Sequence, residues 1–142
     1  MRNILISVIL FVCFSVSYAA ESFRFALFTD LHVQMINPQP AIDLQNAVND
    51  VNALSGIDFV IVSGDVTESG DLASLQKAKS ILDGLKIPYY ITVGNHELKW
   101  SESGATDFVK VFGADKFSFT HKGFKFVGFA TGPVIKMGDG HV

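Results

Sequence analysis

The sequence is poor in cysteine, in basic residues and in charge of either sign. One cysteine, Cys13, stands among 142 residues, and it lies inside an apolar leader. A chain without a second thiol has no disulfide framework and no cysteine-ligated metal. Bulky Phe11 and Val12 precede Cys13 where a lipidation signal needs small residues, so lipidation is not expected. Lysine and arginine total 11 against 14 aspartates and glutamates, with no basic cluster. That balance argues against a protein that grips nucleic acid by broad phosphate neutralisation. Small phosphorylated ligands stay open, because a metal can hold a phosphate where basic side chains do not.

Hydrophobic residues make up 49% of the chain, and much of the excess sits at the front. Arg2, an apolar run from Ile4 to Val16, and small residues at Ser17 and Ala19 have the layout of a secretory signal cut after Ala19. The run is shorter than the roughly 20 residues that a spanning helix needs, so no stable membrane anchor is expected. The expected organisation is a signal peptide over 1–19 and a domain over 20–142, secreted or periplasmic. Removal of the leader takes Arg2 with it and leaves a mildly acidic chain.

Five runs read as strands: 22–30, 56–65, 87–95, and the alternating pair KFSFTH and FKFVGFAT around Lys122-Gly123, a tight hairpin turn. Between the first three lie helical patterns. Leu44, Val48, Val51 and Leu54 recur at helical spacing in a segment opening after Pro40 and closing at Gly56. Leu72, Leu75, Ala78, Leu82 and Leu85 repeat the pattern, with Ser69 or Asp71 as N-cap. A shorter helix follows in ATDFVKVFG. The order β-α-β-α-β, helix, hairpin predicts an α/β domain with parallel strands, its sheet covered on both faces.

Right-handed crossovers gather the carboxyl ends of parallel strands at one rim, where ligands of open α/β sheets bind. The first strand ends in Thr29-Asp30-Leu31-His32, the second in Ser63-Gly64-Asp65-Val66-Thr67-Glu68, the third in Gly94-Asn95-His96-Glu97. Carboxylate, imidazole and amide donors without sulfur suit divalent ions such as Mn, Fe, Zn or Mg. Gly64 and Gly94 let backbone come close to such ions. Glu97 is expected to orient a neighbour through a hydrogen bond, and Glu68 to be a supporting carboxylate. Taken alone, Asp30, Asp65 and Asn95 each have a plain turn role; it is their joint occurrence at ordered strand ends that points to a site. Trp100 and Lys99 have two readings, contact with substrate or a loop tryptophan tucked onto the core, and the second is preferred.

The ordered set D-L-H, G-D-V-T-E and G-N-H-E on a βαβαβ frame resembles the first three signatures of the calcineurin-like metallophosphoesterases. The resemblance implies the βαβαβ half of a four-layer αββα sandwich, followed by a β-hairpin. It implies two divalent metal ions: Asp30 and His32 on the first, Asp65 bridging both, and Asn95 on the second. His96 would face the phosphate and protonate the leaving oxygen, not bind metal. Such a centre hydrolyses phosphomonoesters or phosphodiesters, with a bridging hydroxide as nucleophile. The family's later histidines, one single and one in Gly-His-x-His, have no match here. After His96 only His121 and His141 remain, and both read as ordinary residues, His121 exposed beside its turn. The chain is therefore expected to be the N-terminal portion of the catalytic domain, inactive alone. Phe23, Phe25, Phe28, Phe117, Phe119, Phe124, Phe126 and Phe129 would leave one apolar face waiting for a partner, with self-association of the fragment as the outcome. The alternative class is a non-catalytic protein-binding module on the same fold.

Overall fold

The computed structural model describes residues 21–131, so the expected signal peptide and His141 lie outside the described residues. Within them, β1 (Phe25–Phe28), α1 (Gln39–Ala53), β2 (Phe59–Val62), α2 (Leu72–Leu82) and β3 (Tyr89–Ile91) alternate. A single π-helical turn (His96–Trp100), α3 (Thr106–Phe112) and the hairpin β4 (Phe117–His121) and β5 (Phe124–Gly128) follow. The expected α/β class and the hairpin are both present, with the strands shorter than the apolar runs that marked them.

The first three strands form a parallel sheet in the order β1-β2-β3, with Phe25 opposite Phe59 and Val62 opposite Ile91. Successive right-handed crossovers in one direction put both connecting helices on the same face, and α1 packs on α2, α2 on α3. That face is the core: Leu44, Val48 and Val51 of α1, and Leu75, Ala78 and Leu82 of α2. They close over Val60 and Val62, whose side chains are fully buried. Helix α1 begins two residues earlier than expected, at Gln39, with Pro40 inside its first turn. A proline is at home there because the first helical N–H groups have no partner within the helix. Asp71, one of the two expected caps, accepts a hydrogen bond from the Ser74 amide at 2.9 Å and starts α2.

The second face of the sheet carries no helix among the described residues. It is covered in part by the hairpin, through a set of stacked and edge-on rings. Phe59 lies 5.1 Å from both Phe119 and Phe126, and Tyr90 stacks on Phe119 at 3.5 Å. The expected exposed phenylalanine face is thus corrected in two respects. Phe28 points the other way, into the helical core, because alternate residues of a strand face opposite sides. Phe119 and Phe126 are occupied by the sheet. Phe25, Phe124 and Phe129 remain exposed, with Leu27 at 59% the most exposed side chain of β1.

His121 is half-buried, and this corrects the expectation that it is exposed. Its ring sits edge-on to Phe23 and Phe59, and its Nε2 lies 3.2 Å from Asp58 Oδ1. Asp58 also accepts from the Arg24 amide at 3.0 Å, the main cause that holds its carboxyl below the ordinary aspartate range. A depressed carboxyl stabilises the fold above its ordinary range, and that contribution fades as pH falls through its folded value. The pair closes the end of the sheet opposite to the rim.

Phe59, 2% exposed at the centre of the ring cluster, is the pivot between sheet and hairpin. Phe59→Ala is expected to cost about 3–5 kcal/mol, whereas Leu27→Ala costs under about 1 kcal/mol in the 142-residue chain. Urea melts of the two variants check this, and equal losses would refute the partial closure.

Candidate metal centre

In-register parallel strands deliver their three carboxyl ends to one rim, and the backbone there is strained. Asp30, His32 and Asp65 all adopt left-handed conformations, with φ of 53°, 47° and 48°. A non-glycine residue in that region costs on the order of 1–3 kcal/mol, and such outliers cluster at functional sites. Hydrogen bonds beyond the strands hold them in place. The His32 amide donates to the Asp65 carbonyl at 3.1 Å and the Val33 amide to the Val66 carbonyl at 3.0 Å. The Thr29 hydroxyl donates to Asp30 Oδ2 at 2.6 Å.

The side chains converge. Ligand atoms of His32, Asp65 and His96 lie within 4.8 Å of one another. The His32 and His96 rings meet edge to face at 4.6 Å. Asp65 Oδ1 accepts the His96 amide hydrogen at 2.9 Å, which leaves its other oxygen for a ligand. His96 Nδ1 lies 2.6 Å from the Glu68 carbonyl oxygen. A carbonyl only accepts, so Nδ1 carries the hydrogen and the neutral ring keeps its lone pair on Nε2. Asp30 joins through His32, its Oδ1 lying 3.7 Å from Nε2. Asn95 lines, with Asp65, Ser63, Thr92 and Ala130, a cavity of about 250 Å³ beside the cluster.

Two observations test whether a divalent ion suits these residues. His32 Nδ1 is buried without a hydrogen bond: Glu68 Oε2 approaches to 3.1 Å but is not aligned to make one. A buried imidazole nitrogen left in this state is costly unless something binds it. Gly94 supplies the second. A Cβ at this position would overlap the amide nitrogen and Oδ1 of Asp65, so only glycine lets the β3 loop lie against that carboxylate. Two imidazoles and a carboxylate are donors that borderline divalent ions accept. The donor set of His32, Asp65 and His96 fits a divalent ion, with Asp30 close to His32 and Asn95 lining the cavity beside them. The sequence reading keeps His96 outside the ligand set; the fold brings it within the same ligand cluster.

Glu97 is fully buried. Its Oε1 accepts from the Thr67 amide at 2.8 Å and the Thr67 hydroxyl at 2.9 Å, and its Oε2 from the Gly94 amide at 3.0 Å. Burial pushes its carboxyl above the ordinary glutamate range, although these three hydrogen bonds pull the other way. The expected orienting role thus has a concrete form: Glu97 ties the loop after β2 to the loop after β3. Sequence reasoning passed over two partners in that tie, Thr67 and Ser101. Thr67 stood inside a quoted motif, and its full burial is unusual for a polar strand-end residue. Ser101, whose hydroxyl bonds the Gly70 carbonyl at 3.2 Å, had no local signal.

Gly94→Ala is expected to weaken Mn2+ binding at least about tenfold by calorimetry and to destabilise the fold by about 1–3 kcal/mol. Unchanged Mn2+ binding and melting would show that the close approach of Gly94 to Asp65 is dispensable.

The calcineurin-like phosphoesterase family model matches residues 23–139. A probable cyclic nucleotide phosphodiesterase from Xenorhabdus bovienii (strain SS-2004) is 27% identical over 79 residues, covering 49% of this chain and 32% of that relative. The chain thus spans about a third of the length of the curated relative it matches. No helix of the described residues is long and apolar enough to cross a membrane. The family match extends across β1 to β5, including all three polar strand ends, and the chain belongs to the calcineurin-like phosphoesterase family.

Proposed function

We propose that this protein hydrolyses a small phosphorylated substrate, a phosphomonoester or phosphodiester, at the rim carrying Asp30, His32, Asp65, Asn95 and His96. The observation that carries the reading is the convergence of His32, Asp65 and His96 around a buried imidazole nitrogen that makes no hydrogen bond. Two divalent ions, when bound there, polarise the phosphoryl oxygens and make a bound water more acidic. Asp30, His32 and Asp65 would hold one ion, and Asp65 with Asn95 the other.

The chain's own residues do the remainder. Glu68 fixes the His96 tautomer through its carbonyl, so that Nε2 faces the substrate. In the protonated imidazolium, Nε2–H is the donor to the ester oxygen that leaves. Hydrolysis forms one phosphorus–oxygen bond from water, which releases a proton to solvent, and breaks the bond to the alcohol, which departs with the His96 proton; His96 then regains a proton from solvent. The loop tie made by Glu97 keeps Asp65 and His96 in register during that exchange. The relative named above makes a phosphodiester the first substrate to assay. In this reading the 142-residue chain alone is inactive, and the leader sends the protein to the periplasm or outside the cell. The strained backbone at Asp30, His32 and Asp65 marks a functional site, and the family match favours the enzyme over a binding module.

The assay is Mn2+- or Zn2+-dependent hydrolysis of bis(p-nitrophenyl) phosphate and p-nitrophenyl phosphate by the protein extended to its natural end. Turnover should vanish with chelator, fall at least about 100-fold in Asp65→Asn, and fall about 100- to 10,000-fold in His96→Gln. A folded protein with neither turnover nor bound metal would sink the proposal.

A further inference from the structure

We infer that Trp100 is the platform for the organic part of the substrate, so that the site selects phosphoesters whose leaving group carries a flat aromatic or heteroaromatic ring. The inference rests on the phosphoesterase reading above. Trp100 is the single tryptophan of the 142 residues. The expectation that it tucks onto the core is overturned, since it is 59% exposed while Leu98, two residues earlier, is 3% exposed and fills that role.

Its position follows from the turn that carries it. The π-helical turn opens with His96 and ends with Trp100. Such turns are rare and occur frequently at functional sites. The turn is fixed at three points: Glu97 to Thr67 and Gly94, the Ser101 hydroxyl to the Gly70 carbonyl, and the Ala105 amide to the Glu97 carbonyl at 3.0 Å. The exposed indole therefore stands on a clamped backbone, as a preorganised platform needs.

The indole also has the right neighbours. Its ring centroid is 6.3 Å from that of His96. If His96 protonates the leaving oxygen, the group attached to that oxygen lies beside His96 and one ring further on meets Trp100. Beyond the indole opens a groove of about 330 Å³, lined with Trp100 by Ser69, Asp71, Glu102 and Ser103. This is the small end of the range for ligand pockets, enough for one ring system with a polar edge. Lys99 Nζ lies 5.2 Å from the indole centroid, a cation over the ring. That contact alone does not account for the exposure, since an exposed cation–π pair is weak.

Two measurements decide it. Tryptophan emission, excited where adenine does not absorb, is followed on adding adenosine monophosphate or glycerol phosphate in the presence of Zn2+. Adenosine monophosphate should quench emission saturably, and glycerol phosphate should compete without quenching. In the second, Trp100→Ala should lower kcat/KM for p-nitrophenyl phosphate about 10- to 100-fold, mainly through KM, and that for glycerol phosphate less than about 2-fold. Trp100→Phe should restore most of the loss. Equal quenching by both ligands, no quenching, or equal losses on both substrates in an active enzyme would overturn the role of Trp100 alone. No hydrolysis of either substrate by the unaltered, metal-loaded protein would overturn the phosphoesterase reading and this inference with it.

Discussion

The rim depends on one buried carboxylate. Glu97 has no access to solvent, and its two oxygens collect three hydrogen bonds from the loops that follow β2 and β3. A buried carboxylate is expensive unless its lone pairs are used, and here they are used on two backbone amides and the Thr67 hydroxyl. The consequence is geometric. Thr67 and Gly94 are held a fixed distance apart, so Gly64 and Gly94 meet at a separation that leaves no room for a side chain: a Cβ on Gly64 would lie 2.6 Å from Gly94 Cα. Asp65 is thereby pressed against the turn bearing His96, whose amide it accepts.

A site built this way stores strain and needs a firm base. Three of its candidate ligands sit in left-handed backbone conformations, a combined cost of several kcal/mol. The base is the helical face of the sheet, where Val60 and Val62 are sealed under α1 and α2. Stability is thus concentrated beneath the rim, and chemistry-bearing residues are confined to the loops above it. The opposite face is less finished: rings of the hairpin cover Phe59 and Tyr90 but leave Leu27 and Phe25 open to solvent.

Much of this was legible in the residues because two different periodicities and three polar strand ends agreed. Val60 and Val62 lie in a continuous β-branched run, and Leu75, Ala78 and Leu82 repeat at helical spacing, so element type and order followed from pattern alone. Asp65 and Glu97 could be named for the same reason: a strand end that breaks into carboxylates beside glycine is odd as a mere turn. Where the reading failed, a tertiary contact decided. Phe28 looks like its neighbours Phe23 and Phe25, and only strand parity sends it to the core. His121 reads as a polar hairpin residue, yet Asp58 and two phenylalanine rings draw it inward. Trp100 was assigned to the core by its apolarity, because nothing in HELKW announces a π-helical turn. Left-handed backbone at Asp30 and His32 is likewise invisible in sequence, since neither residue is a glycine.

The most direct test of this account is Mn2+ affinity in Glu97→Gln, measured by calorimetry beside a thermal melt. The glutamine carbonyl oxygen can still accept from Thr67, but its amide would face the Gly94 N–H, donor against donor. The account predicts a folded variant with a cooperative melt that binds Mn2+ about 10- to 100-fold more weakly. A folded variant with the affinity of the unaltered protein would contradict it.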